Sequence, residues 1–252
     1  MNQDFINTIL KNKKKCIFIS PHPDDAVLSC AALLNKLSGK TEVTIVTLFT
    51  KAHSGPYTLS AKNFLHASDE KNADKLVEKR IKEDRAVLGK LAVKSIYLDL
   101  QDALFRLKPK KNLAGFFIPE FNHVYPTYRW HIIKKISSND PAESQLLKLL
   151  KPILRKGSVI FAPYGIGGHV DHQIARKVSE KLSSDVILYS DFPYNSRENF
   201  YGEPSKKQTI VTLTPNGIKN KLIKQYSSQF QGLFPYGKIP THKEVYFLKN
   251  TI

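Results

Sequence analysis

The sequence predicts an α/β fold, a Rossmann-like three-layer α/β/α sandwich on a mostly parallel sheet, in a single domain covering residues 1–252. Three observations lead there. Short runs of apolar and β-branched residues alternate along the chain with stretches of helical periodicity, the pattern of successive βαβ units. Two of those runs stop, near residues 20 and 162, in loops rich in Pro or Gly that deliver imidazole and carboxylate groups as the next helix begins. The chain of 252 residues is long enough to bury a sizeable core, and neither an internal repeat nor a linker divides it.

Each element follows from this pattern. Residues 15–20 form the first strand. The next helix carries Ala26, Val27, Leu33, Leu34 and Leu37 and stops near Gly39. Residues 42–49 are a second apolar strand. Residues 50–74 hold Gly55-Pro56 and many polar groups and read as one long loop. A helix over 76–91 and a short strand over 95–100 come next. Residues 101–140 read as irregular and aromatic-rich, with Phe105, Phe116, Phe117, Phe121, Tyr125, Tyr128 and Trp130. A helix over 142–154 leads into a strand at 158–162, then a helix at 171–183 and a strand at 186–190. A strand at 209–213, a helix at 215–230 and a strand at 244–248 complete the series. Such alternation implies a mostly parallel sheet covered on both faces.

Composition frames the function without choosing it. No stretch of about 18 apolar residues is present, so no transmembrane helix is expected. The N-terminus lacks a basic start followed by an apolar segment, and a cytoplasmic location is expected. Cys16 and Cys30 are the only cysteines and read as small buried apolar side chains rather than a disulfide framework. The net charge of +17 has two readings. It is a field for an anionic substrate, a lipid phosphate or nucleic acid, or it is a solvated lysine-rich surface. The basic runs at 11–15, 108–111 and 206–207 are scattered, and Lys far outnumbers Arg, the usual reader of phosphates and bases. No nucleic-acid module is recognisable, and no nucleic-acid partner is expected.

The chemistry concentrates in two segments about 150 residues apart. The first runs Cys16-Ile-Phe-Ile-Ser20-Pro21-His22-Pro23-Asp24-Asp25. The second runs Phe161-Ala-Pro-Tyr-Gly-Ile-Gly-Gly168-His169-Val170-Asp171-His172. In open α/β sheets ligands bind at the carboxyl ends of the strands, so the two loops can converge on one ion. A catalytic zinc site takes three protein ligands and keeps a position for water. These loops offer more than three groups, which leaves a base and a cation for hydrolysis. Adjacent Asp residues after a strand also suit a helix N-terminus, but two such loops together favour a metal site.

At these residues the chain resembles the LmbE/PIG-L family of zinc-dependent N-deacetylases, which remove acetyl groups from N-acetylglucosamine-type substrates. The family's His-Pro-Asp-Asp-Glu motif reads His22-Pro23-Asp24-Asp25-Ala26 here. Its His-x-x-His motif reads His169-Val170-Asp171-His172. Arg80-Ile-Lys-Glu83 resembles the family's Arg-x-x-Glu helix, and Asp191-Phe-Pro-Tyr194 and Tyr226-Ser-Ser-Gln229 resemble segments of bacterial members. Ala26 departs from the usual Glu, although antibiotic-tailoring deacetylases of the family show a similar Asp-Asp-Ala-Val-Leu-Ser run.

The resemblance implies roles. His22, Asp25 and His172 would bind Zn2+, or another divalent metal in the cell. Asp24 would be the general base, against the alternative of a helix cap. His169 would be an imidazolium facing the tetrahedral intermediate, against the alternative of a third imidazole ligand. Asp171 either orients a ligand imidazole or caps the following helix. Arg80 either forks onto sugar hydroxyls or pairs with Glu83 on a solvated helix. Asp102 and Arg106 would contact the sugar. Gly167 stands where some relatives carry Tyr, and Tyr164 is the nearby candidate to replace it. His53, His66, His123, His131 and His242 lack partners at metal spacing and read as ordinary surface or loop histidines.

The expected function is a zinc-dependent hydrolase that removes an N-acetyl or other N-acyl group from a small amino-sugar or glycoconjugate substrate. One alternative is an amidase acting on a larger N-acyl or thiol-conjugate amide. Another is a nucleotide- or nucleic-acid-binding module without hydrolytic activity. That module would want a glycine-rich phosphate loop after the first strand, where this chain places carboxylates.

Overall fold

The structure, a computed structural model, describes residues 2–154, 157–205, 208–215 and 217–249. Lys206 and Lys207 of the third basic run, and Asn216 near the expected start of the last helix, lie outside them.

In chain order the elements are α1 (Asn2–Lys11), β1 (Cys16–Ser20), α2 (Asp25–Leu37), β2 (Val43–Lys51), α3 (Leu59–Ala67), α4 (Ala73–Lys90) and β3 (Lys94–Gln101). There follow α5 (Ala142–Leu150), β4 (Val159–Pro163), α6 (Val170–Leu182), β5 (Val186–Tyr189), α7 (Tyr194–Arg197), β6 (Gln208–Leu213), α8 (Ile218–Ile223), α9 (Ser227–Leu233) and β7 (Glu244–Lys249). The seven strands form one mixed sheet in the order β3-β2-β1-β4-β5-β7-β6. The β3-β2-β1-β4-β5 section is parallel, and β7 runs antiparallel to both β5 and β6.

Alternate residues of each central strand feed opposite faces, as the pleat requires. Cys16, Phe18, Phe161 and Tyr189 join a core with α1, α2, α4 and α8. Ile17, Ile19, Ile160, Ala162 and Leu188 join another with α5 and α6. Phe18 stacks on Phe161 at 4.2 Å between ring centroids, locking β1 to β4. Both faces are covered, so β1 and β4 are buried along their whole length and read in sequence as continuous apolar runs.

Four departures from the sequence expectation have local causes. The helix α1 precedes the first strand because Phe5, Ile6 and Ile9 form a narrow apolar stripe that packs on the sheet. The stretch taken as one loop over 50–74 contains α3, started by Thr58, whose hydroxyl accepts the Ala61 N–H. Helix α5 stops at Leu150, two residues before Pro152, which has no N–H to continue the hydrogen-bond ladder. The helix expected at 215–230 is two pieces, α8 and α9, with Tyr226 out of helical geometry between them.

Helix α2 also kinks, at Cys30. The buried Glu244 carboxylate on β7 accepts the Ala32 and Leu33 N–H groups at 2.8 and 3.2 Å. It thus caps the second half of α2 as a side chain caps a free helix end.

Tyr226 leaves helical geometry to reach Asp84 on α4. Its hydroxyl donates to Asp84 at 2.8 Å, and Tyr97 of β3 donates to the other carboxylate oxygen at 2.9 Å. Burial pushes the Asp84 carboxyl up from 3.8 to about 6, with both tyrosines pulling against it. A pKa raised on folding means the native state binds the proton more tightly. Stability from this group is therefore lost as pH rises from about 4 to 6. Asp84→Asn removes the titration. Its Tm relative to the parent should improve by roughly 3 °C or more between pH 4 and pH 7, measured by calorimetry at both pH values. A gap independent of pH would show that Asp84 does not titrate in this window.

Candidate metal centre

The two motif loops converge because of strand order. β1 has β2 on one side and β4 on the other, so the chain reverses its direction of winding between β1 and β4. A crevice opens at the carboxyl ends of such strands. The β1 loop occupies it first. The Ser20 hydroxyl donates to the His22 carbonyl at 2.7 Å and accepts the Ala26 N–H at 3.0 Å, folding residues 21–25 tightly. The β4 loop meets it with Gly165, Gly167 and Gly168 all at positive φ. At Gly167 a Cβ would stand 2.9 Å from the Tyr194 ring. Glycine is needed there both for conformation and for space.

The ligating atoms of His22, Asp25 and His172 lie within 4.8 Å of one another, and all three residues are buried. His22 Nδ1 and His172 Nε2 point at the same oxygen, Asp25 Oδ2, at 3.2 and 3.3 Å. His172 Nε2 is buried without a hydrogen-bond partner. Its other nitrogen, Nδ1, is held by Asp191 at 2.7 Å, which fixes the ring and leaves Nε2 facing the cluster. A second trio, His22, His169 and Asp171, is equally compact, but its acceptors are in use. Asp171 Oδ2 takes the Ala103 N–H at 2.9 Å and meets His22 Nε2 at 3.1 Å, and Oδ1 takes Arg106. His169 Nδ1 takes the Asp171 N–H at 3.2 Å.

Electrostatics agree with the first trio. Burial opposes charging of His22, but Asp102, Asp171 and Asp25 outweigh it and raise its pKa to about 9. Burial likewise opposes charging of His172, and Asp25 and Asp191 reverse it. Burial would raise the Asp25 carboxyl, yet His172 and His22 hold it well below the usual range. Six carboxylates are linked in this network, those of Asp24, Asp25, Asp102, Asp140, Asp171 and Asp191. The guanidiniums facing them are those of Arg80 and Arg106. With carboxylates outnumbering guanidiniums, the cluster relies on charged His22 and His172 for balance and favours a cation between them. The unpartnered His172 nitrogen marks where a divalent metal with mixed nitrogen and oxygen ligands fits.

Asp24 occupies the N-cap position of α2 but makes no capping hydrogen bond. Its backbone sits at φ 129°, a conformation that costs a residue with a side chain about 1–3 kcal/mol. Strain of this kind aims the carboxylate away from the helix end, and Arg80 meets it at 3.4 Å. Arg80 does not pair with Glu83, whose carboxylate accepts from Ser227 and Ser228. Burial pushes the Asp24 carboxyl up to about 7, with Arg80 opposing.

The remaining expected residues divide. Asp102 lies at the site, 3.4 Å from His22 Nε2, while its Oδ1 caps the turn at Ala103–Phe105. Arg106 is buried and donates to Gln101, Asp140 and Asp171 while lying over the Phe49 ring, which makes it a support for Asp171 rather than a sugar contact. Tyr164 is turned away, its ring against Phe247 and its hydroxyl on the Glu203 backbone. The ring beside Gly167 belongs to Tyr194, 5.8 Å from that of His172. For His169 the structure favours the neutral ring over the expected imidazolium. Burial and the neighbouring His22 lower its pKa well below the ordinary value, and its Nδ1 accepts a backbone hydrogen. Of the histidines set aside, His123 is buried and meets His53 at 2.9 Å between Nε2 atoms.

Several supporting residues were missed or left open. Asp191 orients His172 and also accepts the Gly165 and Ile166 N–H groups. Its position at the end of β5, next to β4, was the available signal. Asp171 resolves as the carboxylate beside His22, since His169 and not Asp171 caps α6. Tyr128, with its ring 6.3 Å from that of His169, carried no sequence signal.

Residues 17–183 match the PIG-L model, described as GlcNAc-PI de-N-acetylase. The 2'-N-acetylparomamine deacetylase of Niallia circulans is 27% identical over 93% of this chain and 84% of its own. The zinc-inhibited form of teicoplanin deacetylase superposes with a TM-score of 0.67 at 19% identity, over 92% of this chain and 97% of its own. The N,N'-diacetylchitobiose deacetylase of Pyrococcus horikoshii gives 0.54 at 16% identity, over 99% and 90%. With both motif loops inside or at the matched span, the chain belongs to the PIG-L family of de-N-acetylases.

Proposed function

We propose that this de-N-acetylase removes an acetyl group from an amino-sugar-containing substrate and uses zinc held by His22, Asp25 and His172. The observation that carries the reading is the buried Nε2 of His172, without a hydrogen-bond partner and facing Asp25 and His22, with the Asp24 carboxylate, paired with Arg80, in the adjoining residue. Two imidazoles and one carboxylate suit zinc, a borderline-soft ion that stays a Lewis acid. The substrate class is supported by the relative from Niallia circulans, a deacetylase of 2'-N-acetylparomamine.

Bound zinc would polarise the amide carbonyl and acidify water in the crevice. Asp24 takes the proton of the attacking water, with its pKa near neutrality where a general base works best and Arg80 holding its ionised form. His169 presents Nε2–H, since Nδ1 is committed to the Asp171 backbone. That hydrogen stabilises the oxyanion of the tetrahedral intermediate. When the C–N bond breaks, the proton taken by Asp24 goes to the leaving amine, and the products are free amine and acetate. The buried Arg80, whose Nε lacks a hydrogen-bond partner, and the partly exposed Asp102 are the groups we assign to sugar hydroxyls.

Acetate release from N-acetylated amino sugars, followed by mass spectrometry after metal loading, tests the reaction. Cleavage confined to large N-acyl amides would favour the amidase alternative.

His172→Ala removes one of three anchors, and metal content by elemental analysis should fall from about one equivalent to a small fraction. Retention of a full equivalent would reassign the ligands.

Asp24→Asn and His169→Ala should each keep the metal and lose turnover, Asp24→Asn by about 10²–10⁴-fold, the usual share of a general base. A loss below about tenfold in the Asp24 variant would remove it from the base role.

A further inference from the structure

Residues 107–135 form an excursion between β3 and α5, closed by an antiparallel bridge between Leu107 and His123. Within it Leu113 is 90% exposed, Phe116 80%, Phe117 89%, and Ile118 and Phe121 about half. Trp130 follows at 66%. Large apolar side chains scattered singly on a surface need no explanation, but a contiguous exposed group marks an interaction site. The display is also built. Asn122 hydrogen-bonds the Asn112 backbone from both ends of its amide, and Gly115 packs so closely on Asn122 that a Cβ would stand 2.2 Å from its Cγ. The apolar side chains therefore project from a clamped turn.

The charges around this turn have one sign. Lys108, Lys110, Lys111, Arg129, Lys134 and Lys135 lie between positions 107 and 135, against one acid, Glu120. The Glu120 carboxylate is engaged by the Leu59 N–H. A second copy of the chain would bring the same cations face to face and be repelled. Nucleic acid is polyanionic and Phe116 and Phe117 could stack on bases, but the aliphatic Leu113 and Ile118 exposed beside them have no base face to match and are suited instead by an acyl layer. Exposed apolar side chains on a clamped turn, within a segment whose charges are almost all basic, suit a bilayer interface with anionic headgroups.

We propose that this excursion docks the protein on an anionic membrane surface, with the apolar turn entering the acyl boundary and the lysines among the headgroups. Tyr128, on the same excursion, has its ring 6.3 Å from that of His169, so the segment that carries the patch also reaches the metal centre. The inference is independent of the catalytic reading.

Trp130 is the single tryptophan of the chain and reports on this surface directly. The purified protein should co-sediment with phosphatidylcholine vesicles containing phosphatidylglycerol at least tenfold better than with phosphatidylcholine alone, and Trp130 fluorescence should shift to the blue. Binding should weaken with added salt. Phe116→Ser combined with Phe117→Ser should lower vesicle affinity tenfold or more at unchanged Tm, and Lys110→Glu with Lys111→Glu should remove the preference for phosphatidylglycerol. No binding to either vesicle, or undiminished binding by the Phe116/Phe117 variant, overturns the proposal. A concentration-dependent dimer abolished by that variant, or the same Trp130 shift with a single-stranded oligonucleotide, also overturns it.

Discussion

The carboxylate of Asp171 is the junction on which the site depends. One oxygen takes the Arg106 guanidinium, and the other takes the Ala103 N–H and faces His22 Nε2. Three separate stretches are thereby tied at one point: the loop after β1, the turn after β3 and the start of α6. Asp191 repeats the device from the other side, joining His172 to the Gly165–Ile166 backbone. The His22 and His172 imidazoles are therefore each gripped through the outer nitrogen, leaving the inner one directed at Asp25. Carboxylates in this position fix the ring and increase its basicity as a ligand.

Such an arrangement concentrates negative charge in a protein whose total is +17. The charges serve opposite ends. Lysines on the surface are solvated and contribute little individually to stability. The aspartates of the crevice are buried, and their mutual repulsion is relieved by Arg80, Arg106 and the two ligand imidazoles. Against burial, Asp102, Asp171 and Asp25 push His22 toward the charged form, and Asp25 and Asp191 do the same for His172. A divalent ion bound between them would displace the imidazole protons, so its binding would strengthen as pH rises.

Much of this was legible in the sequence. The alternation of apolar runs and helical periods gave the layered sheet, because buried parallel strands carry their signal in every residue. That His22, Asp25 and His172 gather in one buried cluster was readable because both loops follow strands and strand ends are where α/β sheets bind ligands. Elements set by long-range partners were not readable. The kink in α2 depends on Glu244, more than 200 residues away, and the break between α8 and α9 depends on Tyr226 reaching Asp84. Arg106 looked like a sugar contact because a guanidinium near a carboxylate is compatible with either role, and only its buried hydrogen bonds separate them. Tyr164 lay close in sequence to the missing tyrosine, but Tyr194 reaches that space from the end of another strand.

The Tyr194 replacement bears on what the crevice admits. A tyrosine at position 167 would stand on the β4 loop, two residues from His169, and would move with it. Here the ring comes from α7, and Gly167 clears room for it. The aromatic wall is thus anchored through β5 and Asp191, the residue that also orients His172. A change in the β5–α7 connection would therefore move the His172 ring and the Tyr194 wall together, whereas Asp24 is governed separately by Arg80 and α4. The two sides of the crevice are in this way held by different parts of the sheet, and the Tyr194 side can vary while Asp24 keeps its strained position.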